Sequence, residues 1–467
     1  MKALKEAVCL SLESAGLLKS DARLMCGVSG GCDSVALLHA LCALRREVPF
    51  TLFACHVQHG LRGDQSDADE QFVRSLCHEL NVPLQVENAG LDGSMHDPGM
   101  ETLARNRRRA IFLRQMESLQ LDALLTAHHR DDQTETVLMH LLRGSGMEGL
   151  CGMKPLAPFG PGVILRPFLT LSKQQLQAAV SVYREDASNF EPVTPRNILR
   201  LAILPELERL YTGAAEHIAN TAQTLAADEA CLAAQADELY RSFLYDTPPL
   251  FALNADSLRH SPEALVRRVL RRWWQEGLKL AGLSPDEQSL SRGDTLALMN
   301  LLGRPAGTRI NLPCGLAAEK GGTLLYLMYQ SGEPLAAAAD FCISLEEAPI
   351  HLTHLSIHQE PASGVFPQNA EEIILTPELL SLHPVLRPIR PDDRIHPFGA
   401  PGSKPLRRFL TDRKIDPPLR QTLTVLASGS DIWWIPSLCA SERLRLSIIP
   451  NGSVRLKGAH SFLLHRS

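Results

Sequence analysis

Between an apolar run and the segment Val35-Ala36-Leu37-Leu38 stands Gly27-Val28-Ser29-Gly30-Gly31-Cys32-Asp33-Ser34. Glycines here let a backbone turn approach a ligand closely, and the free amides of a helix start, joined by the hydroxyls of Ser29 and Ser34, form a cradle for phosphate oxygens. The fit is to pyrophosphate; the run has neither the Gly-Lys-[Ser/Thr] of a Walker A loop nor the Gly-x-Gly-x-x-Gly of a dinucleotide site. The plainer alternative is a glycine-rich turn with Asp33 as a helix-capping residue. About a hundred residues on come His128, His129, Asp131, Asp132 and Glu135. They begin where a strand is expected to end, so they should project into the same edge crevice as the glycine turn. Carboxylates beside a pyrophosphate site suit Mg²⁺ better than zinc, because Mg²⁺ prefers oxygen and offsets phosphate charge. Against this stands simple capping of a helix by Asp131 and Asp132; for the cluster as a whole the chemical reading is preferred.

Basic residues form two further groups. Arg105, Arg107, Arg108, Arg109 and Arg114 share one helical stretch, and the i, i+3, i+4 rule points Arg105, Arg108 and Arg109 the same way. Such a face serves nucleic-acid phosphates or charge developing at a reacting phosphate, or is merely a solvated surface. Residues 387–420 hold nine Lys and Arg against four Asp, on a chain whose net charge is −5. That asymmetry marks 387–420, with Arg407 and Arg408 at its centre, as a polyanion-binding module. Segments 186–189 and 196–200, a polar turn and then basic residues, are expected to close over an acceptor base, the alternative being an interdomain linker.

These groups need elements to hold them. Short apolar runs at 23–28, 51–57, 84–87, 123–127 and 163–166 alternate with amphipathic stretches at 34–46, 64–80, 100–119, 131–142 and 172–184, which predicts βα units around a parallel sheet. After Pro205 the texture turns Ala/Leu-rich and helical; the stretch 262–279, carrying Arg267, Arg268, Arg271, Arg272, Trp273 and Trp274, reads first as an amphipathic helix covering a core. Residues 331–370 read as a linker, and the tail has short strand-like runs between Pro and Gly turns. The expected fold is α/β: an N-terminal doubly wound parallel sheet over 1–205, a mostly helical middle domain with linker over 206–370, and a small mixed α+β domain over 371–467. With 45% apolar and 21% charged residues, a chain of 467 residues is globular, not disordered or fibrous. Its eleven cysteines never form C-x-x-C, which argues against a zinc knuckle or redox pair and suits a reducing cytoplasm. No stretch reaches the length of a membrane span, and the N-terminus, with charges throughout, reads as a first helix and not a signal peptide.

The glycine turn resembles that of the PP-loop ATP pyrophosphatases, which cleave ATP between the α- and β-phosphates and pass AMP to an acceptor. Further segments narrow the likeness: Val57-Gln58-His59-Gly60-Leu61-Arg62, Glu101-Thr102-Leu103-Ala104-Arg105, Thr126-Ala127-His128-His129-Arg130-Asp131-Asp132-Gln133-Thr134-Glu135-Thr136, Leu142-Arg143-Gly144-Ser145-Gly146, Gly149-Leu150-Cys151-Gly152-Met153, Arg166-Pro167, Asp186-Ala187-Ser188-Asn189 and Arg196-Asn197-Ile198-Leu199-Arg200. Together they resemble the tRNA(Ile)-lysidine synthases over about the first 205 residues, and the tail resembles that family's C-terminal domain.

The resemblance implies a PP-loop nucleotide-binding fold and a cytoplasmic ligase that uses ATP and Mg²⁺ to attach free lysine to C2 of the wobble cytidine in an isoleucine tRNA with a CAU anticodon. It implies Ser29, Gly30, Gly31, Cys32, Asp33 and Ser34 around ATP. Asp33, Arg105, His129 and Asp132 would be catalytic, with Asp33 and Asp132 on the metal. His59, Arg62, Glu135, Asp186, Asn189, Arg196, Asn197, Arg407 and Arg408 would contact substrates, with Glu135 or Asp131 holding the lysine ammonium. A homodimer is implied by the likeness alone. The sequence departs from the family pattern at Arg109, where Tyr is usual, at 391–394 and at 423–425. The competing readings are a PP-loop tRNA thiolase, disfavoured by the missing C-x-x-C, and a nucleotide-sensing RNA-binding protein without turnover. An amidating synthetase is less expected still, since no glutamine-hydrolysing module is seen ahead of the nucleotide domain.

Overall fold

The run Leu24-Met25-Cys26 has no solvent exposure on either face, the signature of a central strand in a sheet covered on both sides. In the computed structural model it is the middle of β1 (Arg23–Gly27). Leu24 and Cys26 enter one apolar cluster and Met25 the other. The structure describes all residues except 59–63, 92–98, 185–193, 248–249, 286–287, 334, 336–341, 346–349, 353–354, 363–364, 421 and 461–467.

Two compact units follow one another, Met1–Ala230 and Cys231–Ser467. The first contains β1, β2 (Thr51–Gln58), β3 (Leu84–Asn88), β4 (Ala123–Leu125), β5 (Leu156–Phe159) and β6 (Gly162–Leu165) in the order β3-β2-β1-β4-β6-β5. All neighbours are parallel except the β5/β6 hairpin. Its helices include α1 (Lys2–Ser14), α2 (Cys32–Arg45), α3 (Asp64–Glu79), α4 (Met100–Ser118), α5 (Arg130–Leu142), α6 (Met147–Leu150), α7 (Lys173–Gln177) and α8 (Pro195–Ile198). Residues of α1, α2, α3 and α7 pack on the Leu24 face, and those of α4 on the Met25 face. The doubly wound sheet expected from the alternating pattern is therefore present. Strand order reverses between β1 and β4, and a crevice opens beyond their C-terminal ends at such a switch point.

Two local expectations fail for identifiable reasons. β5 was not anticipated: it is an edge strand containing Pro158, and it joins β6 through a tight turn in which Gly160 has φ +57°. The helix expected over 172–184 stops at Gln177 after a Ser172 cap. The chain then returns to the glycine turn, where the Arg184 amide donates to the Gly30 carbonyl at 3.0 Å.

The second unit contains a five-stranded antiparallel sheet built from Leu244–Thr247, Leu250–Asn254, Leu324–Tyr329, Leu316–Lys320 and Arg309–Asn311. Helix Glu263–Leu280 buries Val269, Leu270, Trp273, Trp274 and Leu278 in the same cluster as Leu253, Leu325 and Leu327, so it covers a core, as its periodicity predicts. The stretch read as a linker contains Leu355–Pro361, which pairs along its whole length with Val454–His460. Only Leu355 and Ile357 alternate inward on it, too short a pattern to announce a strand whose partner lies a hundred residues on. Arg387 belongs to the interior of this unit: it forms a doubly bonded pair with Asp393 at 2.6 and 3.0 Å, both buried. It is thus removed from the basic surface inferred for 387–420. Arg407 and Arg408 are exposed on helix Leu406–Asp412. Among the described residues no helix is long and apolar enough to cross a membrane.

Candidate active site at the β1 and β4 switch point

The glycine turn links β1 to α2. Gly30 has φ +92°, a left-handed conformation that L side chains rarely adopt, and Gly31 is the extended N-cap of α2. The turn is held from within: Ser34 Oγ donates to the Gly31 carbonyl at 2.9 Å and accepts from the Ser29 amide at 3.2 Å. From behind, buried His56 on β2 places Nδ1 2.8 Å from the Val28 carbonyl. The first amides of α2 have no acceptors within the helix, which leaves them as donors suited to an anion. Burial, then neighbouring Asp33, pushes the Cys32 thiol up to about 11, which disfavours its thiolate at neutral pH.

The turn after β4 arrives beside it. His129 is the N-cap of α5, and its amide donates to Asp132 Oδ2 at 3.1 Å. Its Nε2 lies 3.4 Å from Asp132 Oδ2 and 3.7 Å from Asp33 Oδ2, so one imidazole spans the two carboxylates that a sequence separation of about a hundred residues kept apart. His129 Nδ1 is buried with no hydrogen-bond partner among the described residues. Asp33 also receives both oxygens' contacts from Lys173 Nζ, at 2.8 and 2.7 Å.

Deeper in, Glu135 has no solvent exposure. Arg196 Nε reaches its Oε2 at 2.7 Å and Arg200 Nε its Oε1 at 2.6 Å, while both guanidiniums also bond Asp132 Oδ1, at 2.9 and 3.1 Å. Arg196 lies in α8 and Arg200 in the widened π-type turn Leu199–Ile203 that follows. Burial raises the Asp132 pKa, but His129, Arg196 and His128 more than offset it, holding the carboxyl at about 2. Asn197 lies in the same short helix, its amide donating to Thr194 Oγ1 at 3.2 Å.

A basic rim surrounds these acids. Arg105 depresses the pKa of both Arg108 and Arg166, after burial has done so, which places the three cations close together. Arg109 does not join them as the helix-face rule suggested; its guanidinium lies over the Phe159 ring, 5.0 Å from the centroid. His128 bonds Thr126 Oγ1 through Nδ1 at 3.0 Å. Burial lowers its pKa to about 4, with Arg166, Arg108 and Arg196 adding to the effect and Asp132 opposing it.

His128 and Asp132 both titrate below their ordinary values of 6.5 and 3.8. In each case the unfolded chain takes up the proton first as pH falls. Stability present at neutral pH is therefore lost between about pH 6.5 and 4 through His128, and from about 4 towards 2 through Asp132, at about 1.4 kcal/mol for each unit separating the two states. Urea midpoints measured against pH check this: His128→Gln should flatten the upper limb alone, and an unchanged profile refutes it.

Of the residues singled out in the sequence, Asp33, His129, Asp132, Glu135 and Arg196 converge within a chain of direct contacts, with Ser29 to Ser34 beside them and Arg105 on the rim. His59, Arg62, Asp186 and Asn189 lie outside the described residues. Arg200, singled out with the basic segment 196–200 but given no site role of its own, joins the converging residues through Glu135 and Asp132; Lys173 escaped sequence reasoning and carried no signal.

Residues 4–207 match the PP-loop domain family and residues 385–447 the TilS substrate C-terminal domain family. A tRNA(Ile)-lysidine synthase of Symbiobacterium thermophilum is 31% identical, over 94% of this chain and 95% of that protein. The protein of the same name from Geobacter sulfurreducens is 29% identical, over 95% of each. That from Bacillus subtilis is 28% identical, over 94% of each.

Proposed function

The chain belongs to the tRNA(Ile)-lysidine synthase family, and from that membership we propose how its own residues divide the work. The protein is a carbon–nitrogen ligase that uses ATP to form lysidine on isoleucine tRNA. The cytidine C2 oxygen attacks the α-phosphorus and pyrophosphate leaves; the ε-amine of free lysine then attacks C2 and expels AMP. The single observation carrying the assignment of residues is the meeting of the glycine turn with His129, Asp132 and Asp33 at the strand switch point.

In this reading the amides of Gly30 to Asp33 and the Ser29 hydroxyl receive the pyrophosphate, Ser34 holds the turn that presents them through its bond to the Gly31 carbonyl, and Arg105 with its neighbours Arg108 and Arg166 stabilises charge on the α-phosphate. His129 orients Asp33 and Asp132. Among the described residues no three His, Cys, Asp or Glu side chains are grouped to hold a metal. Two carboxylates completed by phosphate oxygens and water are a donor set that fits Mg²⁺. Asp33 and Asp132 would hold it, and it would offset phosphate charge. Glu135 and Asp131 are the carboxylates proposed for the lysine ammonium; since Arg196 and Arg200 occupy both Glu135 oxygens, an ammonium at Glu135 must displace one of them. His59, Arg62, Asp186, Asn189, Arg196 and Asn197 are assigned to the anticodon side, Arg407 and Arg408 to tRNA phosphates. The proposal keeps three functional segments, 1–205 for chemistry, 206–370 as the middle and 371–467 for tRNA selection, in a cytoplasmic homodimer.

The test is incubation with Mg²⁺, ATP, labelled lysine and isoleucine tRNA bearing CAU. Label in the tRNA with stoichiometric AMP and pyrophosphate is the expected result. Nucleotide binding without incorporation would point to a sensor, and sulfur transfer to a thiolase.

A further inference from the structure

We infer that Lys173 is a pyrophosphate-binding residue, parked on Asp33 until the nucleotide arrives; the inference rests on the ligase reading and deepens it. Lys173 Nζ sits between both Asp33 oxygens at 2.8 and 2.7 Å. The segment carrying it is anchored at both ends to the two turns of the site: the Leu171 carbonyl accepts from the Arg130 amide at 2.9 Å, and the Arg184 amide donates to the Gly30 carbonyl at 3.0 Å. Lys173 is thus borne by a strap crossing from the His129 turn to the glycine turn.

The charge balance explains why a lysine is placed there. Asp33 stands in the first turn of the helix whose amides face the anion, and an unneutralised carboxylate there repels a triphosphate. In the free protein the ammonium cancels that charge. Once the Asp33 oxygens are engaged by a metal-bound nucleotide, the ammonium is released beside the departing phosphates. Its flexible four-carbon stem lets it swing to them as a compact point charge. A purely structural pair would behave differently. The two side chains are 36% and 26% exposed, and a pair so open to water contributes little to folding, so losing it would not discriminate between ligands by their phosphate charge.

Binding of ATP, inorganic pyrophosphate and AMP to the full-length chain, by calorimetry with Mg²⁺ and with chelator, separates the cases. Lys173→Met should weaken ATP and pyrophosphate about tenfold or more, the loss expected for one charge-assisted hydrogen bond, and AMP by less than about twofold. Lys173→Arg, keeping the charge, should recover most of the loss. Unchanged pyrophosphate binding in Lys173→Met overturns the inference alone if the wild type still ligates lysine. So does a parallel loss for all three ligands. A wild type that binds neither ATP nor pyrophosphate overturns both this and the ligase reading.

Discussion

Asp33→Ala should lower lysine incorporation at saturating substrates by about 10²–10³-fold or more, the cost of removing one preorganised electrostatic group from a reacting centre, while binding of isoleucine tRNA changes by less than about threefold. Asp33 meets Lys173 and lies 3.7 Å from His129, so its loss leaves the glycine turn intact but removes a proposed metal ligand and the anchor of the imidazole. tRNA affinity, by contrast, is dominated by phosphate contacts spread over basic surface. ATP–pyrophosphate exchange and filter binding of tRNA report the two halves separately, and loss of both together would contradict this division. The same variant leaves Lys173 uncompensated. Pyrophosphate binding in chelator should therefore persist or tighten while turnover disappears, a split between binding and chemistry that a misfolded site does not produce.

The second large effect is on stability. Glu135→Gln removes the charge to which both Arg196 and Arg200 bond and leaves two guanidiniums sharing Asp132. Breaking a fully buried ion pair from one side costs about 3–5 kcal/mol; here the arginines are 31% and 34% exposed and keep Asp132, so about 1–3 kcal/mol is expected. Hydrogen exchange of Arg130–Leu142 is the sensitive measure, since a local loss of that size speeds exchange by about 5- to 10²-fold for amides that open with the helix. Arg200→Met, which keeps Arg196 on Glu135, should cost less. Exchange in Glu135→Gln within about twofold of wild type would show that the two arginines do not staple the 195–203 segment to α5. Both outcomes bear on lysine binding as well, because an ammonium that displaces an arginine from Glu135 must supply what that arginine supplied.

Much of this site is written in short stretches of chain. The glycine turn needs Gly30 for a positive φ and Ser34 for a hydrogen bond three residues back. The His129 turn needs Asp132 at the third position of its helix. The alternation of apolar runs and amphipathic stretches announces the βα units. These are interactions between near neighbours, so residue type and spacing suffice to specify them. Even the convergence of the two turns follows from strand ends sharing one edge of a parallel sheet.

What the sequence did not disclose depends on where distant segments come to rest. Lys173 meets Asp33 across 140 residues, and Arg196 and Arg200 meet Glu135 across 61 and 65. Arg387 looked like surface charge until Asp393 drew it into the interior. Strand order, the early end of α7 and the π-type turn after α8 decide these pairings, and each is settled by packing instead of local preference. A charged residue has the same identity whether it faces water, a phosphate or a buried carboxylate. Residue type and spacing therefore announced a phosphate-binding turn and an acidic cluster at one sheet edge, and only the folded arrangement decided which charges oppose them, because an ion pair is defined by distance in space.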